Sequence, residues 1–378
     1  MSARIDGFSK LTKEEKINWI TATHFKDAPQ AAQQLRSYWN SSPKVQTQHD
    51  EFIENTLSNF YLPLGVAPNF LINNSLFTLP MVIEESSVVA AAGNAAKFWL
   101  DKGGFEAKVI DTLKVGQVHF HYKGDPSILK TFFEKNKIAM LEATKSLTLN
   151  MEKRGGGIVS LDLIDKTDDL EHYYQLYVRF RTADAMGANF INSCLECLAD
   201  ALQNLSQQDV SFKAQDSKIE IIMSILSNYV PECLVQAKVS CPLDTIPTHE
   251  GMSGAAFAKK IVQAIDIANC ESYRAVTHNK GIMNGVDALI LATGNDFRAI
   301  EAGVHAYASR SGKYTSLSHA SIKEGQFTME LSLPLAIGTV GGLTKLHPMV
   351  NWCMELLGYP SSKKLMEIIA VAGLAQNF

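Results

Sequence analysis

Lys280 lies in the stretch THNKGIMNG, residues 277–285, a single cation set among small residues and two glycines. The order is not that of a P-loop, in which a glycine and four spacers precede Gly-Lys-Ser/Thr, so a nucleotide phosphate is not its expected partner. Downstream, ATGNDFRA (292–299) supplies Asp296 and Arg298, and Arg274 and Asn284 flank the lysine itself. Lysine and aspartate beside glycine-containing turns suit a buried ion pair, which can serve as a structural salt bridge or as part of a site. A second candidate is EESSVVAAAG (84–93), where Glu84 and Glu85 stand at the entrance of a small-residue run. Acidic residues there complement a helix dipole. Alternatively, one carboxyl is kept protonated by its like-charged neighbour and by burial, and serves as a general acid. The third is TADAMGANFIN (182–192), an acid, small residues and a glycine where a strand passes into a helix. Such a junction either turns the chain or aims free N–H groups at an anion such as a pyrophosphate.

Other chemistries find less support. No G-x-G-x-x-G follows a strand pattern, which argues against a Rossmann fingerprint. Cys194 and Cys197 form one C-x-x-C inside a helical pattern with no second pair, and read as small apolar residues on a helix. His119 and His121 share a strand face, but no third ligand stands near them in the sequence, so they read as strand-surface histidines; no metal site is expected.

The elements that must position these residues can be traced from periodicity. Residues 10–60 are polar and helix-prone, and 62–85 suggest brief strands around Asn73-Asn74. A helix is expected from Ser86-Ser87, with serine capping its first turn, to DKGGF. From about residue 112 the order reads β-α-β-β-α-β with one further strand, a split β-α-β ferredoxin-like arrangement placed at 112–242. The expected fold is therefore α+β: a large, mostly helical, discontinuous domain (1–111 and 243–378) interrupted by a small ferredoxin-like domain.

The bulk properties narrow the setting. A net charge of −4 gives no broad basic field for nucleic acid or polybasic membrane anchor. The charged N-terminus MSARIDGFSKLTKEEK lacks an apolar signal segment, and six cysteines read as reduced thiols, so a cytoplasmic protein is expected.

Taken together, LPLGVA, PMVIEESSVVAAA, DAMGAN, ILSNY, YRAVTHNKGIMNG, ATGNDFRA and GTVGGLTKLHP resemble, in order, the motifs of hydroxymethylglutaryl-coenzyme A reductase, the bacterial class II form in particular. The resemblance spans roughly residues 5 to 378. It implies the four-electron reduction of 3-hydroxy-3-methylglutaryl-CoA to mevalonate and CoA, through mevaldyl-CoA and mevaldehyde, in isoprenoid synthesis. The same catalytic residues would serve a degradative, NAD-dependent oxidation of mevalonate, and a non-catalytic CoA-binding form is the other alternative. By the resemblance, Lys280 stabilises the oxyanion, Glu85 donates a proton and Asp296 links and tunes the two. Arg274, Ser87 and Asn284 hold the substrate. Asp184, Met186, Gly187, Ala188 and Asn189 form the cofactor turn, with Asn228 near the nicotinamide, and the small domain binds the dinucleotide without Rossmann glycines. A homodimer with shared sites is implied, with a higher oligomer left open.

Two departures from the family pattern are visible. Family members continue past GLAQN into a flap whose histidine protonates the departing thiolate; this chain stops at Phe378, and none of His278, His305 and His347 matches that histidine. The expectation is that the flap has been cut away rather than that activity is lost. Ser86 stands where most class II members have proline, and serine is expected to cap the helix instead. Lys145, Lys153 and Arg154, against the single acid Glu152, favour NADPH over NADH.

Overall fold

A computed structural model describes residues 4–214, 217–248, 251–342 and 346–378. Residues 343–345 of the GTVGGLTKLHP motif thus lie outside the described residues. Three N-terminal helices come first: α1 (Lys13–His24), α2 (Ala28–Ser37) and α3 (Pro43–Asp50). A hairpin follows, β1 (Leu64–Ile72) and β2 (Ser75–Val82), and Asn73 and Asn74 both take positive φ (48° and 63°), as a tight two-residue turn needs. Then come α4 (Val88–Leu100) and the short β3 (Glu106–Val109).

The inserted segment runs β4 (Lys114–Tyr122), α5 (Pro126–Ala143), α6 (Lys145–Glu152), β5 (Gly157–Asp165), β6 (Tyr173–Arg181), α7 (Ala188–Gln208), α8 (Val210–Ala214) and β7 (Ile219–Leu226). Its strands form one antiparallel sheet in the order β5-β6-β4-β7, the split β-α-β pattern expected from the alternation. Val118, Phe120, Leu176 and Val178 of the sheet meet Phe132, Phe133, Leu195 and Leu198 of α5 and α7 in a core of their own.

The next strand departs from expectation. β8 (Leu234–Pro242) is expected within the inserted segment, but it pairs with β3 and with β10 (Gln326–Pro334) in a second antiparallel sheet, ordered β3-β8-β10-β9, whose edge β9 is Ser318–Lys323. Local alternation marks a strand but cannot name partners that are distant in sequence, so the inserted sheet ends at Leu226 rather than near residue 242. The rest is helical: α9 (Gly254–Cys270), α10 (Ser272–Ala292), α11 (Phe297–Ala308), α12 (Pro348–Leu356) and α13 (Ser362–Asn377). The fold is α+β.

THNKGIMNG also differs from expectation. It is not a flexible turn but the middle of α10, which is helical from Ser272 to Ala292. Gly285 is there for packing: a Cβ at this position would stand 2.4 Å from the Ala372 carbonyl oxygen of α13. In return, a Cβ at Gly373 would stand 2.9 Å from Val286 of α10. The two helices therefore cross at backbone contact. The structure offers no packing reason for Gly281, which faces open space.

This crossing yields a stability prediction. Gly285→Ala gains about 1 kcal/mol of helix propensity, but the methyl meets backbone that cannot yield and overpacking costs roughly 1–3 kcal/mol or more. We expect a net loss of roughly 1–2 kcal/mol, read as a lower urea midpoint at unchanged slope; a stabilised variant would disprove the contact.

Candidate active site

The side chains singled out above come from three parts of the chain. α10 presents Lys280 to the bend between β2 and α4, where its ammonium meets the Glu85 carboxylate at 2.5 Å. Asn284 lies one turn further along the same face of α10, half-buried. Arg274 is exposed near the start of that helix and forms no ion pair with a described residue. The helix is opened by Glu271, whose carboxylate accepts the Tyr273 and Arg274 N–H groups.

Two expectations are corrected here. The lysine's partner is Glu85 rather than Asp296, and the pair is not buried, the two side chains being 58% and 46% exposed. Asp296 instead opens α11: its Oδ1 accepts the Arg298 and Ala299 N–H groups at 3.1 and 3.2 Å and also faces the Arg298 guanidinium. A carboxylate at a helix N-terminus finds free backbone donors within one turn, and that local claim decides which partner it takes. The carboxyls of Glu84 and Glu85 are likewise exposed rather than buried.

The serine cap also fails to form. Ser87 precedes α4 with a left-handed backbone (φ 73°) and its side chain accepts no cap hydrogen bond. Left-handed geometry in a residue other than glycine is strained, and such strain concentrates at functional sites. Ala183, at φ 48° in the second segment, is a further case.

That second segment, Thr182 to Gly187, is held from several sides. Asp184 Oδ1 accepts the Ser362 N–H at 2.8 Å, so its carboxylate serves the start of α13. The Asp184 carbonyl accepts the Thr339 N–H at 2.8 Å, and Ala185 bridges Val340. Lys114, buried at the start of β4, donates to Thr182 Oγ1 at 2.6 Å and to the Ala185 carbonyl at 2.8 Å. Gly187 takes φ 94° at the N-cap of α7, and no side chain caps that helix. Met186 and Ala188 are half-buried, and Asn189 is exposed. Beside the turn opens a cavity of about 460 Å³ lined by Arg154, Arg181, Lys363, Asp111 and Asp184. Arg181 is paired with Asp111 at 3.0 Å, whereas Arg154 and Lys363 are in no ion pair with a described residue. Of the basic residues that bear on cofactor preference, Lys145 is bound to Glu152 at 2.8 Å, and Arg154 is the one that reaches the cavity.

The remaining residues sort as follows. Asn228 is exposed after β7, its carbonyl packed where a Cβ on Gly303 would come within 2.6 Å. Cys194 is buried in the inserted core, its thiol pushed up to about 12 by burial, and half-buried Cys197 donates to the Ala143 carbonyl. His119 meets the Tyr173 hydroxyl at 2.6 Å on the open face of the sheet. Sequence reasoning missed Lys114, Ser362 and Lys363. The only available signal was that Lys114 falls in phase with the core-facing Val118 and Phe120 of β4, a cation where the alternation calls for an apolar residue.

The model of the hydroxymethylglutaryl-coenzyme A reductase family matches residues 13–378. The chain belongs to that family. It is 33% identical to 3-hydroxy-3-methylglutaryl-coenzyme A reductase of Archaeoglobus fulgidus, a likeness covering 100% of this chain and 82% of that protein. It is 32% identical to a probable reductase of Borreliella burgdorferi, over 92% of this chain and 78% of the other. Among solved structures, it superposes with a TM-score of 0.80 on the class II reductase from Streptococcus pneumoniae bound to NADPH in open conformations. Identity there is 36%, covering 100% of this chain and 98% of that one. The reductase family is thus as the motifs implied, and its members are oxidoreductases. No helix among the described residues is long and apolar enough to cross a membrane.

Family membership does not give every residue of a motif a chemical task. His278, directly before Asn279-Lys280, is buried against Ser318 Oγ at 2.8 Å and pushed down to about 4, by burial first and by Arg274 second. In the unfolded chain it takes up a proton near pH 6.5. Between those values, acid favours the unfolded state, so stability falls as pH drops from about 6.5 towards 4. The effect reaches roughly 3 kcal/mol. Denaturant titrations of His278→Gln should show a flatter acid limb than the parent; parallel limbs would disprove this origin.

Proposed function

We propose that the chain reduces 3-hydroxy-3-methylglutaryl-CoA to mevalonate and CoA at the expense of two NADPH and two protons, in the mevalonate pathway. The observation that carries this reading is the Lys280–Glu85 pair, a cation and a proton carrier brought together from distant parts of the chain at an open surface. Each reduction makes a carbonyl carbon tetrahedral and leaves negative charge on its oxygen. The Lys280 ammonium offsets that charge, and Glu85 returns a proton to the oxygen. Asp296 lies in this reading at the rim of the same site, its carboxylate already fixed by α11. Arg274, with a planar fork of donors, takes the substrate's free carboxylate, while Ser87 and Asn284 take its hydroxyl and carbonyl oxygens.

The dinucleotide is assigned to the 182–189 turn and the inserted sheet, and the residues present fit it. Gly187 lets the turn close on itself, since a Cβ there would meet the Thr182 side chain at 2.3 Å, and the uncapped N-terminus of α7 offers free donors to a pyrophosphate. Arg154 and Lys363 in the adjoining cavity suit a further phosphate and favour NADPH. When bound, the cofactor supplies hydride for both reductions. Asp184 acts by fixing the turn to α13, and Met186, Ala188, Asn189 and Asn228 line the cofactor's path.

A homodimer completes the site in this reading. Tyr273 is 88% exposed and lies with Val276 on the stripe of α10 that carries Lys280, an apolar rim suited to a second copy. Six free cysteines accord with a cytoplasmic setting.

Lys280→Ala tests the assignment: mevaldehyde reduction should fall by roughly a thousandfold or more, while NADPH still binds. Mevaldehyde needs no CoA departure, so the assay reads the oxyanion role alone. Turnover within a few-fold of the parent would rule the assignment out.

A further inference from the structure

Lys114 is a buried cation without a carboxylate partner. It is 5% exposed at the start of β4, and its ammonium reaches two acceptors, Thr182 Oγ1 at 2.6 Å and the Ala185 carbonyl at 2.8 Å. Neither is an anion, and Lys114 enters no ion pair with a described residue. The two acceptors do not depend on it, because Thr182 Oγ1 itself donates to the Ala185 carbonyl at 2.6 Å. A neutral side chain of similar size would leave them satisfied. A lysine kept here has a charge that the fold does not require, and burying an uncompensated ammonium costs stability.

The charge sits directly behind the turn that the preceding reading gives to the dinucleotide. The ammonium engages the Ala185 carbonyl, two residues before the Gly187 N-cap of α7, which no side chain caps. We propose that Lys114 is a positioning residue for the dinucleotide: from behind the 182–187 turn, whose Ala185 carbonyl Thr182 also holds, it lends the pyrophosphate subsite a positive charge that has no carboxylate counter-ion among the described residues. This rests on the assignment of the dinucleotide to that turn.

The surrounding groups isolate the effect. Burial pushes Lys114 down to about 8, and the titratable group beside it is Cys233, from the segment before β8. Cys233 is itself pushed up to about 11 by burial, so it stays a thiol over the working range. Asp111 is occupied by Arg181, and Asp184 by the Ser362 N–H. A phosphate monoester on the cofactor is fully ionised well above its second pKa near 6. In the free enzyme the ammonium is therefore lost as pH rises through about 8, and cofactor affinity should fall with it.

The test is NADPH binding by fluorescence titration of the full chain at several pH values between about 7 and 9, with melting temperature as a second readout. Lys114→Met and Lys114→Gln, the second keeping a donor but no charge, should each weaken NADPH roughly tenfold at neutral pH. Both should lose the parent's fall in affinity through about pH 8. The loss should appear in the cofactor's KM rather than in kcat, and the Met variant should melt no lower than the parent, since it removes a buried ion. Unchanged affinity in both variants, weakened affinity that keeps the parent's pH slope, or a lowered melting temperature as the sole change each overturns the proposal. Ala188→Asp separates this failure from failure of the underlying assignment. A carboxylate in the first turn favours the helix but repels a pyrophosphate. If that variant binds NADPH like the parent, the dinucleotide lies elsewhere and both readings fall; if it binds weakly while the Lys114 variants do not, only the role of Lys114 falls.

Discussion

The backbone contact between α10 and α13 is the constraint on which the site depends. Gly285 and Gly373 bring the two helices closer than side chains would allow, and α13 then reaches each of the three candidate segments. At its start, the Ser362 N–H holds Asp184 of the 182–187 turn. At its middle it seats α10, which carries Lys280 and Asn284. Near its end, Gln376 donates to the Val88 carbonyl at 2.8 Å, at the first residue of α4 and just beyond Glu85 and Ser87. A rigid rod of this kind carries placement over a distance that loops could not hold, since the helix is buried nearly throughout.

Around that rod, the charges are arranged so that the fold uses up some and leaves others free. Asp296, Asp184 and Glu271 each serve the start of a helix, Asp111 is taken by Arg181, and Glu152 by Lys145. Arg274, Arg154 and Lys363 stay outside ion pairs with described residues, and Lys280 is engaged at a surface where a ligand can compete for it. An exposed pair contributes little to stability. Its ready exchange of partners is what a charge-stabilising lysine needs. Most of these carboxylates serve the frame while these cations stay open, which in the proposed reading suits a substrate and cofactor that are both anionic.

The elements were largely legible, because each rests on a local signal. Asn73-Asn74 marked its turn, the alternation of Tyr173–Arg181 gave β6, and the change of period at DAMGAN placed the start of α7. What escaped depends on partners far along the chain. β8 looked like its neighbours in sequence but took β3 and β10 as ladder partners. The glycines of THNKGIMNG read as turn signals, whereas Gly285 answers to Ala372. Asp296 reads in the sequence as free for Lys280, but its nearer claim is the opening of α11. The three chemical segments could be found one by one, but their common support by α13 could not, since Ser362 and Gln376 carry no signal of their own.

The strained and buried groups follow from the same division. Ser87 and Ala183 hold left-handed backbones, and Lys114 holds a charge in the interior, each at a cost of stability. None would persist where the chain could relax. Ser87 adjoins Val88, which Gln376 grips, and Ala183 is held by Ser362 Oγ through its carbonyl at 3.3 Å. Lys114 is held at both ends, its backbone paired with Phe180 of β6 and its ammonium on Thr182 Oγ1 and the Ala185 carbonyl. The unfavourable geometries therefore sit where α13 or a central strand over-determines them. That placement explains how a site so open to solvent can still hold its backbone in conformations that solvent-exposed loops would abandon.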